Sequence, residues 1–183
     1  MDLKSLEAEL QDVNEDNFLS VVKADELRTW KGIILHHSYH PDKPVWKKNY
    51  GRSLNNYHKF AHNYSNGLGY QFVVTWNPRN PETPIRIQCS YRWVHQLVGA
   101  HTTARKTARI NVDSTPNECM IGLCIVGNFD IFPVPPELYT QLKVFTNALM
   151  SKLRIPRDAV YGHYQFDYKT CPGKKMDIPF FRR

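Results

Sequence analysis

No apolar run in the 183-residue chain approaches the roughly 20 residues that a membrane-spanning helix needs. The opening MDLKSLEAEL lacks the basic start and apolar core of a secretory signal peptide, being acidic and amphipathic instead. Synthesis in the cytoplasm is expected, with any substrate beyond the membrane reached by a route that another protein supplies. Cysteine is sparse. The four, Cys89, Cys119, Cys124 and Cys171, show no metal-finger spacing, and cytoplasmic synthesis argues against joining them as two disulfides. Zinc-finger and ribonucleoprotein signatures are missing, and the basic residues are scattered singly or in pairs such as Lys47-Lys48 and Lys174-Lys175, which weighs against a nucleic-acid partner. Internal repeats and low-complexity segments are also absent. The length of 183 residues makes one domain with a substantial core the default expectation, and a monomer is expected.

What is present is a globular composition, 42% hydrophobic and 22% charged, with an uneven spread of charge. Residues 1–30 hold eight acidic and three basic side chains, so with +7 overall the remaining residues carry +12. A body this cationic favours polyanionic partners: nucleic acid, anionic lipid or a bacterial wall rich in carboxylates and phosphates.

Leu3, Leu6 and Leu10 recur at helical spacing, and Asn14, Asp16 and Asn17 predict a break before a second short helix at 18–22, so residues 1–30 read as an N-terminal helical extension. GIILHHS reads as a buried strand with a polar tip. Leu54, Tyr57 and Ala61 predict a helix over 53–63. NGLGYQFVVTW and IRIQCSYRW form a hairpin through NPRNPETP, and MIGLCIVGNF is a third buried strand. PPELYTQLKVFTNALMSKLRI is an amphipathic helix with prolines at its start and Leu138, Leu142, Phe145, Leu149 and Leu153 along one face. The alternation predicts a single α/β domain with a central mixed β-sheet flanked by helices.

Chemistry gathers where these strands end. His163 and Cys171 lie eight residues apart in YGHYQFDYKTCPG, and His36 and His37 are adjacent in IILHHSYH. A histidine at the tip of a buried strand has its backbone held by the sheet while its ring faces outward, which suits a metal ligand. Two imidazoles and one thiolate would leave a tetrahedral zinc with an open fourth position, as catalytic zinc sites have. Cys124 in MIGLCIVG reads as a small buried hydrophobe. His58 and His62 are four apart on the predicted helix, but with no cysteine or carboxylate nearby a surface helix is the better reading.

Five elements, in order, carry a resemblance: IILHHS, GLGYQFVV, VGAHT, IGLCIVGNFD and GHYQFDYKTCPG. From about residue 31 to 179 the chain resembles the zinc-dependent N-acetylmuramoyl-L-alanine amidases, a family that includes phage endolysins and peptidoglycan recognition proteins. The resemblance implies an amidase/peptidoglycan recognition protein-like fold with residues 31–183 as the zinc amidase domain. It implies Zn2+ held by His36, His163 and Cys171, with His37 beside the first ligand as a supporting or substrate-contacting residue. Tyr70 and Lys169 match positions the family uses in catalysis, and His101 matches one that lines the substrate groove. Zinc lowers the pKa of bound water to about 7 and acts as a Lewis acid. Lys169 would then place positive charge where the oxyanion develops, and Tyr70 would orient the water or carry a proton.

Two departures from the family pattern stand out. The intracellular recycling branch places a glutamate base inside the third strand, where this chain has Cys124; in this it is similar to the phage lysozyme-amidases. The close cysteine pair of the animal recognition proteins is missing from SYHPDKPVWKKNYG. The function implied is cleavage of the amide between N-acetylmuramic acid and L-alanine in bacterial peptidoglycan, by a phage or prophage endolysin that reaches the wall by a holin-type route. The alternative is a non-catalytic peptidoglycan-binding or regulatory module, but such relatives typically lose the cysteine that is kept here. Arg105, Lys106 and Arg109 either meet peptide carboxylates and wall polyanions or are simply solvated.

Overall fold

A computed structural model of the protein describes residues 10–41, 50–77, 85–104 and 114–183. Its strands are β1 (Gln11–Val13), β2 (Gly32–His37), β3 (Phe72–Trp76), β4 (Ile85–Cys89), β5 (Met120–Ile125) and β6 (Val160–Gly162). They form one sheet in the order β1-β4-β3-β5-β2-β6. β2 runs parallel to β5 and β6, and β3 parallel to β5, whereas β3 with β4 and β4 with β1 are antiparallel, so the sheet is mixed as expected. GIILHH and MIGLCI are buried at every position. Such unbroken burial is what parallel strands covered on both faces require.

Helix α1 (Tyr50–Ala61) precedes β3, the short α2 (Tyr91–Val94) and α3 (Pro116–Cys119) follow β4 and precede β5, and α4 (Pro136–Leu153) covers one face of the sheet. Pro136 starts α4 where a missing N–H costs nothing, and Arg154 ends it in the left-handed conformation. Leu138, Leu142, Phe145 and Leu149 are buried as the spacing predicts, while Leu153 is only half-buried. They pack on Ile33, Leu35, Phe72, Ile121 and Leu123. Each such side chain stabilises the fold by about 1.5–3 kcal/mol.

The structure departs from the sequence reading in three places. Leu3 and Leu6 lie outside the described residues; beyond them, Gln11–Val13 is an edge strand paired with β4, and residues 15–21 are successive turns where a short helix was predicted. Phe18 from those turns is fully buried against Trp93 and Phe145, so tertiary packing overrode a weak helical pattern. Second, the returning hairpin strand stops at Cys89, and Tyr91–Val94 turns into helix. Third, α1 is rotated relative to its apolar spacing: Tyr57 and Ala61 are exposed, and Gly51, Asn55 and His58 face inward. The inward polar groups have backbone partners, Asn55 Oδ1 accepting from Leu68 N–H at 2.7 Å and His58 Nδ1 from Gly69 N–H at 2.9 Å.

Candidate functional site

The parallel strands β2, β5 and β6 deliver their carboxyl ends to one edge of the sheet, and β2 decides which of its two histidines enters the site. Neighbouring residues on a strand point to opposite faces. Ile33 and Leu35 lie in the core beneath α4, so Ile34 and His36 lie on the other face. His36 is fully buried there. His37 turns the other way, stacks on Phe129 and accepts a hydrogen bond from Phe129 N–H at Nδ1 (3.2 Å).

His163 follows directly on β6, whose Gly162 pairs with Leu35 of β2, so it arrives beside His36 with ring centroids 4.4 Å apart. Cys171 returns on the loop that follows. Tyr164 N–H donates to Cys171 O at 2.7 Å, and Asp130 accepts from Thr170 Oγ1 at 2.6 Å and from Lys174 N–H at 3.0 Å. Gly173 closes this loop at φ +107°, with a Cβ there meeting the Phe129 carbonyl carbon at 2.4 Å, so only glycine fits. The outcome is that one ligand atom from each of His36, His163 and Cys171 lies within 4.8 Å of the others, the only such cluster among the described residues.

This donor set fits zinc. Bonds of about 2.0–2.3 Å to a tetrahedral ion place ligand atoms roughly 3.5 Å apart, and His36 Nδ1 lies 3.7 Å from Cys171 Sγ. Two imidazoles and a sulfur are also what zinc selects over magnesium or calcium. Burial, together with the neighbouring His163 and His101, holds the His36 pKa well below the usual imidazole range, and burial lowers His163 against the pull of Asp167, so both rings are neutral and able to ligate. Burial pushes the Cys171 thiol up to about 12, although the His37 N–H, 3.3 Å from Sγ, and the Lys169 ammonium both favour the thiolate. A bound dication is what would make the thiolate the stable form.

A cleft of about 750 Å³ opens over the cluster, and Tyr70, His101, Lys169 and His37 are among its lining residues. Tyr70 is half-buried, its hydroxyl interacting with the buried Cys124 thiol; burial first, then Cys124 and Cys171, raise its pKa well above the usual phenol range, so it stays protonated. Cys124 is thus both the buried small side chain expected and Tyr70's neighbour. Lys169 is exposed at the mouth. His101 is buried with both ring nitrogens engaged by the protein: Nδ1 lies 3.2 Å from His36 Nε2, and Nε2 lies 3.2 Å from the Met120 carbonyl. Gly122 makes this possible, since a Cβ there would sit 2.5 Å from the His101 ring.

His58 corrects the surface-helix reading. It is buried and lines the cleft with the exposed His62, and its Nδ1 is committed to Gly69. Arg105, Lys106 and Arg109 lie outside the described residues. Sequence reasoning missed Asp167, whose carboxylate accepts from Thr102 Oγ1 (2.9 Å), Thr103 N–H (3.0 Å), Thr103 Oγ1 and His163 Nε2 (2.5 Å). Burial would raise its pKa, but these hydrogen bonds outweigh burial and hold it well below the usual carboxylate range. The available signal was an acid four residues after a ligand histidine. Asn117 was missed too; its Oδ1 accepts from His101 and Thr102 N–H and so pins the His101 loop.

Fold and cluster together define a mixed-sheet α/β domain with a candidate two-histidine, one-cysteine metal centre under a cleft. The sequence model of the N-acetylmuramoyl-L-alanine amidase family matches residues 26–174, and the chain belongs to that family. Among solved structures it is similar to the endolysin amidase LysCS from Clostridium intestinale URNW, with a TM-score of 0.58 and 20% identity over 85% of this chain and 82% of that one. It is similar to bumblebee PGRP-SA, with a TM-score of 0.58 and 17% identity over 85% and 84% of the two chains. The Ph2119 endolysin from the Thermus scotoductus bacteriophage matches with a TM-score of 0.56 and 16% identity over 88% and 87%. At these identities the likeness is one of fold. No curated protein matches the chain. Among the described residues no helix is long and apolar enough to cross a membrane.

Proposed function

We propose that the protein hydrolyses the amide between N-acetylmuramic acid and L-alanine in bacterial peptidoglycan, with zinc held by His36, His163 and Cys171. The observation that carries this reading is the convergence of those three ligand atoms, within 4.8 Å of one another, beneath a cleft that also presents Tyr70 and Lys169. The family match supports the reaction, and the endolysins among the similar structures support a lytic role for a phage or prophage enzyme acting on the wall after release. Residues 31–183 form the amidase domain in this reading, with residues 1–30 as an extension of it.

When bound, zinc supplies water activated at neutral pH and Lewis acidity toward the scissile carbonyl. The remaining work falls to the protein. Lys169 brings a positive charge to the mouth of the cleft, where it favours the anionic tetrahedral state over the neutral amide. Tyr70, kept protonated by burial, is a hydrogen-bond donor and not a base; it steadies the oxyanion or protonates the departing amine. Cys124 occupies the position of the recycling enzymes' glutamate and is itself held neutral by burial, so no carboxylate base acts there. Asp167, committed to four hydrogen bonds, is not available as one either.

The test is release of L-alanine amino termini, with free lactyl carboxyl groups on muramic acid and no new sugar reducing ends, when purified walls are treated with the protein. Release is expected to stop with a chelator, to return with zinc, and to be lost in Cys171→Ser together with bound zinc. Cleavage by metal-free protein would overturn the metal centre. Walls that bind and pellet the zinc-loaded protein without any release would establish the non-catalytic binding module instead.

A further inference from the structure

Three carbonyl, carboxylate and imidazole acceptors around the cluster determine where its protons sit. The Met120 carbonyl only accepts, so His101 Nε2, 3.2 Å away, carries the proton of that pair. A neutral His101 then has a bare Nδ1, and its partner at 3.2 Å, His36 Nε2, must be the donor. That leaves His36 Nδ1 as the lone pair aimed at Cys171 Sγ, 3.7 Å away. On the other ligand the logic is shorter. Asp167 accepts only, so His163 Nε2 carries the proton of the 2.5 Å contact and Nδ1 is the nitrogen left for a metal.

We propose that His101 and Asp167 are positioning residues that set both ligand histidines in the Nε2–H form before metal arrives, through the relay Met120 carbonyl–His101–His36 and the clamp Asp167–His163. The proposal rests on the reading of His36, His163 and Cys171 as a zinc centre and deepens it. Its two arms are built differently. The His101 arm is steric as well as polar: Gly99 and Gly122 leave room for the ring, with Cβ atoms at those positions 2.5 Å from it, and Asn117 holds its backbone. The Asp167 arm is polar throughout. Thr102 and Thr103 aim the carboxylate at His163, tying the loop after β4 to the loop that bears Cys171. Thr102 and Thr103 directly follow His101 in sequence, so one segment serves both ligands. A neutral imidazole that already presents the correct nitrogen loses no tautomer or rotamer freedom on ligation, and groups that orient ligand histidines typically contribute about 10–100-fold in metal affinity.

The tautomers are read directly by ¹⁵N-resolved NMR of the histidine rings in the metal-free wild-type protein. Nε2–H at both His36 and His163 is expected; Nδ1–H at either would overturn the corresponding arm. Zinc affinity is measured by competition with a chromophoric chelator. His101→Phe and Asp167→Ala are each expected to bind zinc about 10–100-fold more weakly, and Asp167→Asn, which keeps an acceptor oxygen, to recover part of the loss. Unchanged affinity in folded Asp167→Ala and His101→Phe would refute the proposal. Wild-type protein that binds no zinc would instead refute the metal-centre reading, while the tautomer measurement would still decide the relay.

Discussion

Replacing Asn55 by alanine tests how α1 holds the segment that carries Tyr70. Asn55 is buried, and its Oδ1 accepts the Leu68 N–H at 2.7 Å; Leu68 itself has no exposed surface. Alanine cannot accept that hydrogen bond, and water has no access to the amide. A buried donor left unsatisfied costs about 1–3 kcal/mol. For a chain of this size 1 kcal/mol corresponds to roughly 2–4 °C in melting temperature, so a fall of about 4–8 °C is expected for a central cost near 2 kcal/mol. Asn56→Ala is the matched control, since Asn56 is the adjacent residue on the same helix and is exposed. It should change stability by no more than about 0.5 kcal/mol. Thermal unfolding by circular dichroism compares the two variants, and wall-release assays with metal analysis follow. Asn55→Ala should turn over more slowly at unchanged zinc content, because the loosened segment leads to Tyr70 and not to a ligand. If the two variants melt together, Asn55 does not hold Leu68 and the account of the inward polar face of α1 is wrong.

Lys169→Ala should lower kcat about 10–100-fold, less than loss of an enclosed oxyanion donor because the side chain is exposed, with zinc content unchanged; loss of zinc in this variant would show that the lysine supports the ligands instead. The metal-free protein should lose stability as pH falls from 7 to 5. Burial holds His101 at about 3, opposed by its hydrogen bond to Met120, and His58 at about 4, whereas unfolded imidazoles titrate near 6.5. The unfolded chain therefore binds more protons across this window, and each of these histidines removes about 2 kcal/mol by pH 5. Asp167, depressed instead below the carboxylate range, contributes its stability throughout that window and loses it only at lower pH. Denaturant unfolding at pH 7 and pH 5 measures the difference, and equal stabilities would mean that the histidines are solvated in solution.

Much of the architecture was legible in the chain because burial imposes patterns that can be read locally. The continuous apolar runs of β2 and β5 marked buried strands, which the structure pairs in parallel, and the spacing along α4 marked its core face. The pattern failed where polar residues were bonded inward. Leu54, Tyr57 and Ala61 suggested the wrong face for α1, since Asn55 and His58 are turned in by backbone N–H groups from a segment more than ten residues away. It failed again at 10–22, where one ladder with β4 and the seat of Phe18 between Trp93 and Phe145 outweighed helix spacing.

At the site, the sequence by itself determined which residue types were available: two imidazoles and a thiol in loops next to strands, a tyrosine, a lysine and the absence of a glutamate in the third strand. It also carried the family. Tertiary structure alone decided how those groups meet. Strand parity sends His36 to one face and His37 to the other, and the parallel register of β2, β5 and β6 brings residues 36, 124 and 163 to one edge. His101 acquires a partner 65 residues away in sequence that no spacing rule announces, and the i,i+4 spacing of His163 and Asp167 becomes a contact only because the fold also brings Thr102 and Thr103 to the carboxylate. Protonation, tautomer and donor direction depend on which acceptors lie within about 3 Å, and that distance is set by folding.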